Sequence, residues 1–293
     1  MEVKAIRTMS ILGAGTMGHG IAQTMAQHGY KVFLGDVSQE LLDAALERVK
    51  KSLQKLAENG KIGQDEVEGT LSMITGTINV EEVAKDADFL IEAIPEKLDV
   101  KKELFKQLDK VCREETIFAT NTSTLSIAEL ASATERPEKF IGMHFFNPVP
   151  LMNIVELVKG LLTSDETTEI TRKLVLKLGK ESTIVKDSPG FASSRLGVAL
   201  FLEASRMLEE GVASAEDIDK TMRLGYGHRM GPFETCDLVG LDARLNNINA
   251  MYEATRDPAW KPPQLLKQLI SAGYLGKKPS SKGGYYTYFG FEK

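Results

Sequence analysis

The stretch that decides the fold is MSILGAGTMG, residues 9–18. Its apolar start predicts a short buried strand, and its glycines introduce a helix that reaches about His28. Gly13, Gly15 and Gly18 have the spacing G-x-G-x-x-G. In this order the first glycine permits a tight turn, the second lets the backbone approach a pyrophosphate, and the third lets helix and strand pack closely. The pattern predicts a helix N-terminus that faces the phosphates of a dinucleotide.

A second strand and an acidic residue extend this pattern. Lys31 to Gly35 is predicted to be a strand, and Asp36 follows it directly. A carboxylate about twenty residues past the glycines can accept hydrogen bonds from the adenosine ribose hydroxyls. Asp36 would repel a ribose 2′-phosphate, and neither Val37 nor Ser38 supplies a compensating cation, so NAD is favoured over NADP. The loop residues predicted to bind this cofactor are Gly13, Gly15, Thr16, Met17 and Gly18.

Strand and helix patterns alternate through the rest of the first half. Ser38 to Asn59 is predicted to be a long amphipathic helix, and it opens a helical hairpin insertion near residues 38–73. Further strands are predicted at Ile74 to Thr77, Phe89 to Ile94 and Thr116 to Thr120. Such alternation is typical of a parallel sheet that binds its ligand at the carboxyl ends of the strands. Residues 1–187 are therefore predicted to form an α/β, Rossmann-type doubly wound sheet.

The composition argues against several other classes of protein. The 293 residues include 36 basic and 41 acidic side chains, and the net charge of −5 is spread along the chain. Nucleic acid and anionic membrane surfaces are therefore not expected as partners. No apolar run approaches a membrane span and no signal peptide is recognisable, so we expect a cytoplasmic protein. Cys112 and Cys236 lack metal-ligand spacing, so we expect free thiols and no metal site.

One histidine and one glutamate are placed for proton transfer. His144 ends an apolar run, Pro148 and Pro150 interrupt regular structure, and a second apolar run contains Glu156. A strand that ends, turns and returns would bring the imidazole and the carboxylate within hydrogen-bond reach. The carboxylate would then fix the tautomer and favour the charged ring. The simpler alternative is a histidine bonded to a backbone carbonyl, with the glutamate at the surface.

Two other groups of polar residues admit a functional and a structural interpretation. Asn121, Thr122 and Ser123 follow a predicted strand, which would place Ser123 beside the nicotinamide half of the cofactor. Alternatively, these residues merely cap a helix that starts near Ser126. The exposed side of the long helix is basic, either as an ordinary solvated face or as a docking surface for a phosphorylated carrier. Its lysines are Lys50, Lys51, Lys55 and Lys61.

The second half of the sequence is predicted to be a smaller, all-helical domain. Asp187-Ser188-Pro189-Gly190 marks a boundary, so the domain covers residues 188–293. Helices are predicted at Leu196 to Glu210, Ala215 to Leu224, Pro232 to Val239 and Ala243 to Met251. A helical domain of this kind commonly contributes substrate-binding and subunit contacts. We expect a homodimer.

Eight features now carry a family resemblance. They are GAGTMG, EAIPE, ATNTSTL, HFFNPVP, the glutamate twelve residues after the histidine, DSPGF, RMGPFE and GKKP. On these features the chain resembles the L-3-hydroxyacyl-CoA dehydrogenases, particularly the bacterial 3-hydroxybutyryl-CoA dehydrogenases, along essentially its whole length. The resemblance implies reversible, NAD-dependent oxidation of an acyl-CoA substrate.

The resemblance also implies individual roles for residues. His144 would be the catalytic base, Glu156 its partner, and Ser123 the hydroxyl that contacts the substrate oxygen. The residues that the resemblance implies around NAD are Asp36, Glu96, Lys101, Ser123, Asn147 and Lys278.

The chain departs from the family pattern at two places. Ser194 stands where the family usually has asparagine, and a hydroxyl reaches less far than a carboxamide. Ser194 would still be expected to help polarise the substrate oxygen. In the long helix, Glu47 and Gln54 stand where relatives offer a serine and a lysine to CoA. Two nearby lysines could substitute, and they are Lys51 and Lys55.

Two rival functions remain. Dehydrogenases of the 3-hydroxyisobutyrate or 6-phosphogluconate kind share the glycine loop and a helical second domain, but they use a lysine base. A catalytically weak NAD-binding or structural relative, comparable to certain lens crystallins, is the other possibility, and Ser194 is the feature that favours it. Absorbance at 340 nm with acetoacetyl-CoA separates an enzyme from this second alternative.

Overall fold

The structure is a computed structural model, and it describes residues 3–291. The chain divides into two compact units, Met1–Asp187 (unit 1) and Ser188–Lys293 (unit 2). Each unit contains a hydrophobic core cluster of its own residues.

Unit 1 is built around one sheet of eight strands. The strands are β1 (Thr8–Leu12), β2 (Lys31–Gly35), β3 (Ile74–Thr77), β4 (Phe89–Glu92), β5 (Ile117–Thr120), β6 (Phe140–Phe145), β7 (Ile154–Lys159) and β8 (Glu181–Lys186). Their order in the sheet is β3-β2-β1-β4-β5-β6-β7-β8, and only β6 and β7 are antiparallel neighbours. The strand order reverses between β1 and β4, the switch point at which doubly wound sheets bind ligands. The predicted Rossmann-type α/β fold is confirmed.

Seven α-helices accompany this sheet in residues 3–187. They are α1 (Gly18–Gln27), α2 (Gln39–Glu58), α3 (Gln64–Ser72), α4 (Val80–Ala84), α5 (Leu98–Val111), α6 (Ile127–Ala131) and α7 (Asp165–Lys177). Every residue of β4 and β5 is buried, as in a parallel sheet that is covered on both faces. The hydroxyl of Ser38 accepts a hydrogen bond from the amide of Leu41 and caps α2. α2 and α3 pack against each other between β2 and β3.

Two boundaries differ from the sequence prediction in ways that matter for the site. β4 ends at Glu92 instead of Ile94, because the amide of Ile94 donates to the carboxylate of Glu92 and not to a neighbouring strand. The first long helix of unit 2 begins at Ser193 instead of Leu196. Ser194 therefore lies in a first helical turn.

Unit 2 is helical, which confirms the predicted second part of the fold. Its helices are α8 (Ser193–Glu209), α9 (Ala215–Gly225), α10 (Pro232–Val239), α11 (Leu241–Thr255), α12 (Gln264–Ser271) and α13 (Tyr285–Phe289). Three buried rings, those of Phe201, Phe233 and Tyr285, meet in its core with centroids 4.9 to 6.0 Å apart. The sequence pattern predicted neither α12 nor α13.

Candidate active site

The glycine loop follows β1 at the switch point of the sheet. Gly13 has a φ of +99°, and a Cβ there would lie 2.5 Å from the carbonyl oxygen of Ala93. A Cβ on Gly18 would lie 1.6 Å from the carbonyl oxygen of Gly13. Both positions therefore require glycine for the close packing of turn, helix and neighbouring strand.

The surface above this loop is open to a ligand. A Cβ on Gly15 would meet no atom within 4 Å, and Gly15 and Thr16 are exposed. The carboxylate of Asp36 accepts hydrogen bonds from the amides of Ala14 (2.6 Å) and Val37 (2.7 Å), so its charge lies beside the loop. An open cradle with a carboxylate at its side fits the phosphates and the ribose hydroxyls of a dinucleotide. Met17 is partly buried against the core of unit 1.

His144 and Glu156 face each other directly across β6 and β7. They are paired residues in the antiparallel register, and the Nδ1 atom of His144 lies 3.0 Å from Oε2 of Glu156. The side chain of Glu156 is 2% exposed and that of His144 is 12% exposed. The strand, turn and return expected from the sequence bring the imidazole and the carboxylate together. The two remain predicted catalytic residues.

The segment that carries Ser123 lies at the same end of the sheet as His144. β5 and β6 are parallel, with Thr120 paired to Gly142, so Ser123 and His144 both follow this pair toward the carboxyl ends of the strands. Oδ1 of Asn121 accepts a hydrogen bond from the amide of Phe145 at 2.8 Å, which ties the segment to β6. The structure thus brings the predicted catalytic residues of unit 1 to the edge of the sheet where β5 and β6 have their carboxyl ends.

The capping alternative for Asn121, Thr122 and Ser123 is wrong. Ser126 caps α6, because its hydroxyl accepts a hydrogen bond from the amide of Glu129. The segment is held instead by Glu96, whose Oε1 accepts from the amide of Ser123 at 2.9 Å and from the hydroxyl of Thr122.

Lys101, implied at NAD by the resemblance, is almost completely buried. Its ammonium lies 2.7 Å from Oε1 of Glu92 and 3.0 Å from Oε2 of Glu96, and the side chain is 1% exposed. Glu92 was missed from the sequence. Its position could have identified it, because Glu92 is the one acidic residue of the otherwise apolar run FLIE and the first residue of EAIPE.

The remaining predicted residues lie in three different places. Asn147 is exposed just after β6 in unit 1. In unit 2, Ser194 is partly exposed in the first turn of α8, and the ammonium of Lys278 donates to the carboxylate of Asp242 on α11.

The two lysines predicted to contact CoA lie on the exposed face of α2. Lys51 is exposed and forms an ion pair with Glu47 at 3.4 Å, while Lys55 is exposed one turn further on. Exposed pairs one helical turn apart are weak, about 0.3 to 0.5 kcal/mol, so Lys51 can exchange this partner for a phosphate. The ion pair with Glu47 therefore leaves contact between Lys51 and CoA a prediction.

Residues 3–291 contain no group of three or more His, Cys, Asp and Glu side chains arranged to hold a metal ion. Among the same residues, no helix combines the length and the apolar character needed to cross a bilayer.

Cys112 and Cys236 are buried free thiols, and burial raises the pKa of each to about 12. Neither thiol is ionised near neutral pH, so neither is suited to be a nucleophile.

Comparisons with known proteins agree with this arrangement. Residues 8–188 match the family description "3-hydroxyacyl-CoA dehydrogenase, NAD binding domain", and residues 190–288 match its "C-terminal domain". The "Probable 3-hydroxybutyryl-CoA dehydrogenase" of Bacillus subtilis is 44% identical over 98% of both chains. The human "Hydroxyacyl-coenzyme A dehydrogenase, mitochondrial" is 42% identical over 97% of this chain and 91% of its own.

Solved structures give the same result. The (S)-3-hydroxybutyryl-CoA dehydrogenase of Ralstonia eutropha superimposes with a TM-score of 0.91 at 41% identity, over 96% of this chain and 99% of its own. The match covers both units, and the glycine loop and Asp36 fit NAD. The chain therefore belongs to the 3-hydroxyacyl-CoA dehydrogenase family and is an NAD-dependent enzyme of that family.

Proposed function

We propose that the protein catalyses the reversible oxidation of (S)-3-hydroxyacyl-CoA to 3-oxoacyl-CoA, with 3-hydroxybutyryl-CoA as its preferred substrate and His144 as general base. The observation that carries this proposal is the direct pairing of His144 with a buried glutamate at 3.0 Å, at the edge of the sheet where Ser123 also lies. The printed names of the relatives from Bacillus subtilis and Ralstonia eutropha support the choice of substrate.

The carboxylate of Glu156 determines which ring nitrogen does the chemistry. Nδ1 of His144 donates its proton to Glu156, which leaves Nε2 as the basic nitrogen of the neutral ring. In oxidation, Nε2 takes the proton of the substrate hydroxyl, and Glu156 stabilises the imidazolium that forms. In reduction, the same nitrogen returns the proton to the carbonyl oxygen. Proton transfer of this kind contributes about 10² to 10⁴ in rate.

The other groups bind and orient the substrate. NAD⁺ bound at the glycine loop supplies the hydride acceptor for C3. The hydroxyl of Ser123 donates to the substrate oxygen as negative charge develops on it. Holding C3 in position supplies the larger share of the rate enhancement. Lys51 and Lys55 bind the phosphates of CoA.

Replacing His144 with glutamine tests the proposal. Glutamine has nearly the size of histidine but cannot accept the proton, so kcat with acetoacetyl-CoA and NADH, followed at 340 nm, should fall by at least about 100-fold. NADH affinity should stay within a few-fold. The matched control is His228→Gln, which changes an exposed imidazole of unit 2 and should leave kcat unaltered. Full activity in His144→Gln would remove the histidine from its role.

A series of acyl chain lengths distinguishes the alternatives. Initial rates with C4 to C10 3-oxoacyl-CoA substrates, each with NADH and NADPH, should be highest for the C4 thioester and NADH. A catalytically weak or structural relative would bind NADH and remain inactive on every thioester. A preference for NADPH would contradict the role given to Asp36.

Exposed apolar side chains of unit 2 support the proposal of a homodimer. Among the described residues of this unit, five large apolar side chains are more than half exposed, and they are Leu196, Val212, Leu224, Tyr226 and Leu238. A subunit interface would remove such side chains from water. Light scattering coupled to size exclusion should give twice the mass of one chain.

A cytoplasmic location remains part of the same proposal, in keeping with the two free thiols.

A further inference from the structure

A buried arginine of unit 2 lacks an acidic partner. Arg244 lies near the start of α11 and is 5% exposed. Its Nε atom is buried without a hydrogen-bond partner, and no Asp or Glu side chain of residues 3–291 forms an ion pair with its guanidinium group. Arginine is rarely buried unless it is paired, because an uncompensated charge below the surface is costly. An arginine placed in this way is a candidate for binding an anionic group.

The neighbours of the guanidinium group are neutral. Its Cζ atom lies 5.7 Å from the centre of the Phe201 ring, and a Cβ on Gly197 would lie 3.4 Å from its Nη1 atom. A third neighbour is the thiol of Cys236, which stays uncharged near neutral pH because burial raises its pKa to about 12. Burial lowers the pKa of Arg244, but a guanidinium group remains protonated in proteins. No described residue of unit 2 therefore neutralises this charge.

Two of these neighbours lie on the face of α8 that begins with Ser194. Ser194, Gly197 and Phe201 have the spacing i, i+3 and i+7, which places them on one side of the helix. The guanidinium group is therefore about one helical turn along α8 from Ser194, the residue predicted to help polarise the substrate oxygen. A Cβ at position 197 would already contact Nη1, so any larger side chain there would displace Arg244.

We propose that Arg244 binds the free carboxylate of an acyl chain that ends in a second carboxyl group. The inference rests on the proposed function and adds a class of substrate to it, the CoA thioesters of 3-hydroxydicarboxylic acids. A guanidinium group matches a carboxylate because two parallel N–H groups can donate to its two oxygens.

The length of the chain follows from the position of Arg244 along α8. Each carbon–carbon bond of an extended chain advances about 1.3 Å, so four bonds beyond C3 span about one helical turn. A chain of seven carbons would therefore carry its terminal carboxylate from the reacting C3, near Ser194, to the guanidinium group of Arg244.

Two thioesters of equal length test the inference. 3-Oxopimelyl-CoA and 3-oxoheptanoyl-CoA both have seven acyl carbons, and only the first ends in a carboxylate. With the unmodified protein and NADH, kcat/KM should be about tenfold or more higher for 3-oxopimelyl-CoA, because its carboxylate forms hydrogen bonds with a charged group. An equal or lower value, in a protein that reduces acetoacetyl-CoA, would overturn the inference and leave the proposed function standing.

Variants of Arg244 connect this preference to the guanidinium group. Arg244→Met removes the charge and keeps much of the side-chain volume, so the ratio of the two kcat/KM values should fall to about one or below. Arg244→Lys keeps the charge without the planar pair of donors and should give an intermediate ratio. The matched control is Arg206→Met, which changes an exposed arginine of α8 that pairs with Glu203 and should leave the ratio unaltered.

Thermal unfolding separates a binding role from a structural one. Removing an unpaired buried charge does not cost stability, so Arg244→Met should unfold at the same temperature as the unmodified protein or above it. A structural arginine would instead give a lower unfolding temperature and an equal loss of kcat/KM for both seven-carbon substrates. That result would overturn the inference.

Failure of the proposed function is detected separately. Inactivity of the unmodified protein on acetoacetyl-CoA and on both seven-carbon thioesters would overturn the proposed function and, with it, the role of Arg244. A preference for 3-oxopimelyl-CoA that persists in Arg244→Met would overturn the role of Arg244 alone.

Discussion

Buried carboxylates have different partners in the two units. In unit 1, Glu156 faces an imidazole and Glu92 faces an ammonium group. In unit 2, Asp219 and Asp237 have no lysine or arginine nitrogen within 4 Å among the described residues, and they accept hydrogen bonds from backbone amides instead. The first arrangement orients side chains that can exchange or hold charge. The second joins helices, because the first amides of a helix lack partners within it.

The aspartates of unit 2 link three helices in a ring. Asp219 of α9 accepts from the first amides of α10, and Asp237 of α10 accepts from the first amides of α13. The hydroxyl of Tyr286 on α13 then donates to Asp219 at 3.0 Å and closes the ring. Each helix start is preceded by a glycine, Gly231 or Gly284, whose Cβ would lie within 2.3 Å of the aspartate. These hydrogen bonds therefore join α9, α10 and α13 to one another.

The largest effect that follows from the comparison concerns Glu156. In Glu156→Gln, the amide cannot stabilise an imidazolium, and its NH₂ group can bind Nδ1 and impose the wrong tautomer. We expect kcat to fall by about 10² to 10⁴, measured at 340 nm with acetoacetyl-CoA. The control is Glu181→Gln on β8, an exposed position. If Glu156→Gln lowered the unfolding temperature and left kcat unchanged, Glu156 would be a structural carboxylate like Asp219.

The second prediction concerns the pH dependence of folding stability, to which Asp219 of unit 2 contributes. Burial raises the pKa of Asp219 to about 6, against the hydrogen bonds from the Phe233 amide and the Tyr286 hydroxyl, which lower it. The folded state therefore binds more protons than the unfolded state between about pH 4 and pH 6. The contribution of Asp219 to stability is fully present below about pH 4 and declines as the pH rises through about 6.

Asp219→Asn removes this titration and makes the decline measurable. As the pH rises from about 4 to about 6, the unfolding free energy of the unmodified protein should fall relative to that of the variant, by up to about 3 kcal/mol. Urea unfolding at several pH values gives the difference, and kcat of the variant at pH 7 should stay within twofold. A difference that did not change with pH would show that the hydrogen bonds balance burial, so that the pKa of Asp219 is the same in the folded and unfolded states.

The sequence predicted those parts of the molecule that local patterns determine. The glycine loop and the alternation of strands and helices follow from residues that are close in the chain. The pairing of His144 with Glu156 was also accessible, because two prolines mark the turn and apolar runs mark both strands. Ser123 follows the parallel strand β5, as predicted, and the capping alternative failed because Ser126 is the N-cap of α6.

The parts that escaped prediction depend on distant residues. Burial of Lys101 requires two carboxylates that only the folded turn after β4 brings together, and a lysine in an amphipathic helix otherwise suggests an exposed face. The short helix α13 has an aromatic-rich sequence with little helix propensity, and it is capped by Asp237, 48 residues earlier in the chain. Tertiary contacts override local preference at both places.

The smallest effect distinguishes two adjacent tyrosines at the start of α13. The hydroxyl of Tyr286 donates to Asp219, whereas that of Tyr285 is buried without a hydrogen-bond partner among the described residues. Tyr286→Phe should lower the unfolding free energy by about 1 to 2 kcal/mol, because a bond to a charged group is lost. Tyr285→Phe removes an unpaired polar atom and should be neutral or slightly stabilising. Equal losses in both variants, measured by urea unfolding at pH 7, would mean that the ring of helices depends on packing around the tyrosines and not on the carboxylate of Asp219.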